Sequence, residues 1–341
     1  MPSTSRSGTR LAASVVAVVA LAIVVVLGVS RPRTPAASPS PGSSTGPAVT
    51  LGSAGHSASP RASASPPSPA GPGASTAPAV LVGAGDIADC ASSGDEATAD
   101  LLDSIDGTVF TLGDNAYERG TPSEFRRCYA PTWGRQLART MPVPGNHEYE
   151  TPGASGYFGY FGAAAGDPDR GYYAYDRGAW RIYALNANCA DIGGCGAGSA
   201  QERWLRDDLV ANPRACVLAM WHQPRFSSGL HGNDASTQAL WDALYHAGAE
   251  LILNGHDHTY ERFGPQSPSG KADPSNGIVE MVVGTGGRSH YDFRTIRANS
   301  LVRDNTSYGV LRLELADGGW SFEFVPVAGA KFTDRGGGTC H

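Results

Sequence analysis

From residue 79 onward, short apolar runs alternate with stretches of helical spacing, and several of the runs stop abruptly at glycine followed by Asp, Asn or His. AVLVGAGD (79–86) and GTVFTLGDN (107–115) read as strands, and between them DEATADLLDSI (95–105) places its apolar residues at the spacing of a helix face. EFRRCYAPTWGRQL (124–137) predicts a helix, TMPVPGNHE (140–148) a third strand-like run, and YYAYDRGAWRIYALNAN (172–188) two strands around a turn at Arg177 and Gly178. QERWLRDDLVAN (201–212) predicts a helix with Trp204, Leu205 and Leu209 on one side. CVLAMWHQP, STQALWDALYHAG and AELILNGHDH then repeat strand, helix, strand, and GIVEMVVGTGG, YGVLRLEL and GWSFEFVPV make the end of the chain strand-rich. The pattern predicts two sheets with helices outside rather than one parallel sheet.

The front of the chain has a different texture. Residues 11–29 are apolar, free of charge and preceded by Arg6 and Arg10, so they are long enough to span a bilayer as a helical anchor; a cleaved signal peptide is the competing reading. Residues 30–79 hold 11 of the 24 prolines among Ala, Ser, Gly and Thr. Lacking large apolar side chains to offset ordering entropy, they predict a disordered tether. The expected layout is an anchor or signal over 1–29, a linker over 30–79, a catalytic domain over 80–330, and a tail over 331–341 that Cys340 is a candidate to tie down. The expected location is extracellular or envelope-anchored after export, with membrane contact confined to the amino-terminal segment.

Charge and cysteine narrow the classes. The first 79 residues carry five arginines and no acid, which leaves residues 80–341 with a net charge of −11. Such a domain has no general attraction for a nucleic-acid backbone. Six cysteines with no CxxC spacing point to structural disulfides in an oxidising compartment rather than a thiolate metal site. Cys189 and Cys195 bracket a five-residue loop they can staple, Cys90 and Cys128 are candidates to pair between loops, and Cys216, opening a strand, reads as a buried thiol.

The residues at the strand ends carry the chemistry. Asp86 follows VLVGAG, Asp114 follows VFTLG, Asn146 follows PVPG, His222 follows CVLAMW and His256 follows LILNG. Any one of them has an ordinary explanation as a turn cap. Together with Tyr117 and His258 they predict a metal site, because glycine precedes four of the five and lets backbones crowd around one centre.

GDIADC (85–90), GDNAYE (113–118), GNHEYE (145–150), WHQP (221–224) and GHDH (255–258), in that order, resemble the metallophosphoesterase (calcineurin-like) superfamily and, within it, the purple acid phosphatase branch. The resemblance covers residues 80 to about 325. It implies an α/β fold, the αββα two-sheet sandwich, with a dinuclear centre. It implies Asp86, Asp114, Tyr117 and His258 on the first metal and Asp114, Asn146, His222 and His256 on the second, with Asp114 bridging. His256 and His258, two apart in extended chain, then point the same way, and Asp257 points elsewhere.

Ala88 stands where many members have histidine, and Tyr117 supplies a phenolate, which favours Fe(III) at the first position. Fe(II), Zn or Mn suits the second, with calcium less suited. The first block also departs from the common GDxG, having alanine at that glycine. Large plant-type members carry an amino-terminal β-sandwich where this chain has a tether, so a single-domain form is expected.

The implied reaction is hydrolysis of small phosphate monoesters, with metal-activated hydroxide attacking phosphorus. His231 is the candidate leaving-group acid or phosphate clamp, and His147 a phosphate contact; His246 and His290 receive no role. A phosphodiesterase or nucleotidase using the same centre is the alternative, and a non-catalytic surface binding module the second. No GxSxG or P-loop motif supports a serine or nucleotide-loop mechanism.

Overall fold

The computed structural model describes residues 77–341. The leader over 1–29 and the tether up to residue 76 therefore lie outside the described residues. Among the described residues thirteen strands form two sheets. In chain order they are β1 (Ala79–Ala84), β2 (Thr108–Thr111), β3 (Thr140–Met141), β4 (Tyr173–Arg177), β5 (Trp180–Ala184), β6 (Cys216–Met220) and β7 (Leu251–Asn254), followed by β8 (Tyr260–Phe263), β9 (Val279–Val283), β10 (Ser300–Asp304), β11 (Gly309–Ala316), β12 (Gly319–Pro326) and β13 (Arg335–Thr339). The helices are α1 (Gly94–Ser104), α2 (Pro122–Glu124), α3 (Asn146–Tyr149), α4 (Ser155–Phe161), α5 (Ala200–Ala211) and α6 (Gln238–His246).

One sheet runs β13-β12-β11-β1-β2-β3 and the other β10-β8-β9-β7-β6-β5-β4. β1 lies parallel to β2 and antiparallel to β11, whereas β5, β6, β7 and β9 form a parallel centre. The alternation of strand side chains builds two cores at once. In β6, Cys216, Leu218 and Met220 join the core shared with Leu81, Phe110 and Leu311 of the other sheet, while Val217 and Ala219 pack with Leu205 of α5 and Leu240, Trp241 and Leu244 of α6. Leu251 and Leu253 of β7 take the first side and Ile252 the second. These strands are apolar on both faces because both faces are covered.

Four differences from the sequence pattern have local causes. β3 is only two residues long, since Pro142 and Pro144 have no N–H to extend the ladder. The segment predicted as one helix over 124–137 breaks around Pro131 into a π turn at Phe125–Tyr129 and a 3₁₀ turn at Trp133–Arg139. β8 and β10 were not predicted; each is short and rich in charged side chains that mask the strand period. Cys216 is not a free buried thiol: it bonds to Cys340, which follows β13 at the edge of the first sheet. The other disulfides are Cys90–Cys128 and Cys189–Cys195. Among the described residues no helix is long and apolar enough to cross a membrane.

Candidate metal centre

The carboxyl ends of β1, β2, β6 and β7 open toward one place, and the turns that leave them carry Asp86, Asp114, His222 and His256. Three of these residues, Asp86, Asp114 and His256, sit at φ of 60°, 49° and 73°, a left-handed conformation that costs energy in residues with a side chain. Five non-glycine residues have such a φ among the described residues, so the strain concentrates at this cluster. Gly145 allows the closest approach: a Cβ there would fall 2.1 Å from Asp114 Oδ1.

Two groups of donor atoms meet through Asp114. In the first, Tyr117 Oη lies 3.0 Å from Asp86 Oδ1, 3.2 Å from Asp114 Oδ2 and 3.2 Å from His258 Nε2, and His258 Nε2 is 3.4 Å from Asp86 Oδ1. In the second, His222 Nε2 is 3.1 Å from Asp114 Oδ2 and 3.3 Å from His256 Nδ1. Asp114, His222 and His256 can direct one ligand atom each to a common point. Asn146 opens α3 beside them, and its buried Oδ1 has no hydrogen-bond partner. Of the nine predicted site residues, the structure thus gathers Asp86, Asp114, Tyr117, His222, His256 and His258 by direct contact and leaves Asn146 with an unused acceptor at their side.

Hydrogen-bond accounting tests whether cations fit. His222 and His258 each donate Nδ1–H to a carbonyl, Leu112 O and Ser289 O, both at 2.6 Å, so each turns an Nε2 lone pair into the cluster. Around Tyr117 Oη a single phenolic proton faces two carboxylates and that lone pair, and it can satisfy only one of them. Ligand atoms about 2.0–2.2 Å from one ion stand about 3.0–3.5 Å apart at octahedral or tetrahedral angles, which is the spacing observed. The residues fit hard or borderline cations held by oxygen and imidazole.

The electrostatics agree. Burial and the neighbouring His222 push His256 down to about 3, leaving its ring neutral. Burial lowers His222 too, but Asp114 and Asp86 outweigh it and raise it to about 9. A bound cation would take the place of that proton. Tyr117 is held far above its ordinary value by burial and by Asp114 and Asp86, so only a strong cation could keep it as phenolate.

His147 and His231 border the cluster beside different donors. His147 Nε2 is 3.8 Å from Asp114 Oδ2, with its ring edge-on to Tyr117 at 4.6 Å between centroids. His231 lies over His256 at 4.2 Å. His246 is exposed and bonds within its own helix, and His290 packs on Tyr308.

Sequence reasoning missed three neighbours. Glu148, fully buried, accepts the amides of Asp114, Asn115, Ala116 and Gly145 at 3.0, 2.8, 3.3 and 2.7 Å and so shapes the Asp114 turn. Burial and Asp114 raise it to about 7 while those amides pull it down. Its signal was available: a glutamate three residues past a helix cap is a capping pattern. Arg288, paired with Asp89 and Glu118, lies 4.8 Å over the Tyr117 ring, and Tyr291 stacks on His258 at 3.9 Å. No spacing in the sequence marks either. A cavity of about 630 Å³ between α5 and α6 shares no residue with this cluster.

The family model of the calcineurin-like phosphoesterases matches residues 79–260, the span that supplies every one of these donors. The chain belongs to that family. It is similar to purple acid phosphatase 15 of Arabidopsis thaliana, 26% identical over 55% of this chain and 41% of that one. Among solved structures, the purple acid phosphatase PPD1 from yellow lupin seeds superposes with a TM-score of 0.61 at 18% identity, covering 76% of this chain and 53% of that one. GAP50, the anchor in the inner membrane complex of Plasmodium, superposes at 0.59 with 13% identity, over 76% and 89%. These likenesses establish the two-sheet fold. The chain spans less than half the length of the first curated relatives it matches, 41% and 48%.

Proposed function

We propose that this calcineurin-like phosphoesterase is a dinuclear-metal phosphatase acting on small phosphate monoesters outside the cytoplasm. The observation that carries the reading is the pair of donor groups that share Asp114, one built on Tyr117, Asp86 and His258 and the other on His222 and His256. In this reading Asp86, Asp114, Tyr117 and His258 hold a ferric ion, and Asp114, Asn146, His222 and His256 hold Fe(II), Zn or Mn. The ion pair supplies Lewis acidity and an easily deprotonated water.

The chain's own residues do the rest. Asp114, whose Oδ2 approaches both Tyr117 and His222, would offset the repulsion between like charges. The phosphoryl group lies between His147 and His231, whose rings border the cluster next to Tyr117 and His256. His147 contacts its oxygens. His231 donates a proton to the departing alkoxide, or clamps the phosphate, as charge develops in the transition state. The disulfides support export, since three of them suit an oxidising compartment. The acidic domain favours small substrates over nucleic acid.

The test is a screen of monoesters, diesters and nucleotides against protein loaded with iron, zinc or manganese. Monoester turnover is expected, with His222→Ala losing metal and rate together and His231→Ala keeping both metals at a rate about 10²-fold lower. Turnover of diesters alone would move the assignment to a phosphodiesterase. Absence of turnover at every metal loading would leave a binding module.

A further inference from the structure

The loop Arg225–His231 leaves the end of β6 and carries His231 to the cluster, and its backbone is held by buried acids. Glu280 of β9 accepts the amides of Arg225 and Phe226 at 3.0 and 3.2 Å. Glu261 of β8 accepts the Ser228 amide at 2.8 Å and its hydroxyl at 2.5 Å. Asp257, the residue between His256 and His258, accepts the Ser227 hydroxyl at 2.5 Å with Oδ2 and the His231 amide at 2.9 Å with Oδ1. Ser227 Oγ in turn accepts the Gly229 amide at 2.9 Å. All three acids are fully buried.

A buried loop needs partners for its N–H groups in any protein, and Glu261 and Glu280 supply these without touching His231. Asp257 differs in three respects. It is the acid that bonds His231 itself. It lies in the same bend as His256, on whose ring His231 rests, so one short segment sets both partners of that contact. And the loop is cut to fit it: a Cβ on Gly229 would fall 2.4 Å from Asp257 Cγ, so only glycine lets the chain pass over the carboxylate. Burying a carboxylate is costly when hydroxyls or water would serve as acceptors. The cost is intelligible where both oxygens fix a geometry.

We infer that Asp257 is a positioning residue for His231, reaching the reaction only through the Ser227–Gly229–His231 turn that its two oxygens clamp. The segment is a bend with His256 at φ 73° rather than the extended chain the sequence predicts, and it turns His256 and His258 to the donor cluster while Asp257 faces the other loop and locks the proton donor's backbone. This inference rests on the proposed phosphatase reading for its kinetic part and on geometry alone for its structural part.

The experiment pairs Asp257→Ala with Ser227→Ala, which removes the Oδ2 arm together with the acceptor of the Gly229 amide and leaves the Oδ1 arm, in the otherwise intact chain. Amide hydrogen exchange and elemental analysis are read first. In Asp257→Ala the His231 amide is expected to exchange at least about 10-fold faster while core amides of β6 and β7 and the metal content stay unchanged. Hydrolysis of an alkyl phosphate should then fall about 10–100-fold and that of a nitrophenyl phosphate much less, because a misplaced acid matters most for a poor leaving group. Asp257→Ala combined with His231→Ala should be no slower than His231→Ala alone. Unchanged exchange at His231, additive losses in the double variant, or equal loss for both esters would overturn the inference. If Asp257→Ala fails to fold, Ser227→Ala decides by the same readouts at smaller size, unchanged values again overturning it. Should the wild-type chain hydrolyse no phosphate ester, the functional reading falls, and the exchange measurement still decides the clamp.

Discussion

Gly145→Ala isolates the packing of the donor cluster from its chemistry. Gly145 has φ −103° and ψ −174°, a conformation open to alanine, so backbone strain plays no part. The new methyl carbon would lie 2.1 Å from Asp114 Oδ1 and 2.3 Å from the Asp114 amide nitrogen. Ordinary contact needs about 3.4 Å, so the two turns must separate by roughly 1 Å. Overpacking of this kind costs about 1–3 kcal/mol, and the upper end applies because the Asp114 turn is tied to Glu148 by its own amide. For a domain of this size a loss of about 2–3 kcal/mol lowers Tm by roughly 4–12 °C.

The functional effect should exceed the effect on stability. A shift of about 1 Å in Asp114 displaces the one residue common to both donor groups and is worth about 10²-fold in rate. Elemental analysis, thermal unfolding and monoester hydrolysis are measured beside Gly159→Ala, a helical glycine where an added methyl would meet nothing within 4 Å, which should be neutral or slightly stabilising. Wild-type metal content and rate in Gly145→Ala would refute the reasoning, since Asp114 would then tolerate a displacement that the shared-donor geometry forbids.

Tyr117→Phe removes the phenol oxygen and leaves a buried ring of nearly the same shape, so the fold should survive; protein purified with iron should lose a visible phenolate-to-iron band, and a band that persists would remove Tyr117 from the ligand set. Glu280→Gln tests a linkage with a definite sign. Burial raises Glu280 well above its ordinary 4.5, so the folded state keeps a proton the unfolded chain has released, and stability falls as pH rises from 4.5 toward the folded value, by up to about 1.4 kcal/mol per pH unit. Glutamine still accepts from Arg225 and Phe226, and Gln266, whose Oε1 is buried without a partner, can turn that oxygen toward the new NH₂. Denaturant melts at pH 5 and 8 should show a flatter pH dependence in the variant and greater stability than wild type at pH 8; parallel curves would show that Glu280 does not hold its proton.

What was legible in the sequence, and what was not, follows from how far each signal reaches along the chain. Apolar runs ending in Asp or His, most of them through glycine, identify strands and the side chains at their carboxyl ends from a few residues, and Asp86, Asp114, His222 and His256 were found that way. The two-sheet architecture was legible because the end of the chain, GIVEMVVGTGG, YGVLRLEL and GWSFEFVPV, is strand-rich, without the intervening helices a single parallel sheet needs. β8 escaped because TYERF alternates around Glu261, a charged residue the strand buries rather than exposes. Cys216–Cys340 escaped because 124 residues separate the partners and no pattern connects them.

The buried acids escaped for a related reason. Asp257, Glu261 and Glu280 accept from a loop remote in sequence, and a carboxylate in a sequence reads as surface until its partners are known, whereas Glu148 carried the signal of a capping pattern. Yet Glu148 and Asp257 stand within two residues of the donors Asn146, His256 and His258. The donor residues declare themselves by motif, whereas Asp257, Glu261 and Glu280 are visible only as hydrogen bonds. Asp257 is the instructive case: it stands inside the most recognisable motif of the chain and faces away from the centre that the motif announces. Its two neighbours explain why the strand ends where it does, and its own contacts explain why the loop carrying His231, 26 residues earlier, can end nowhere else.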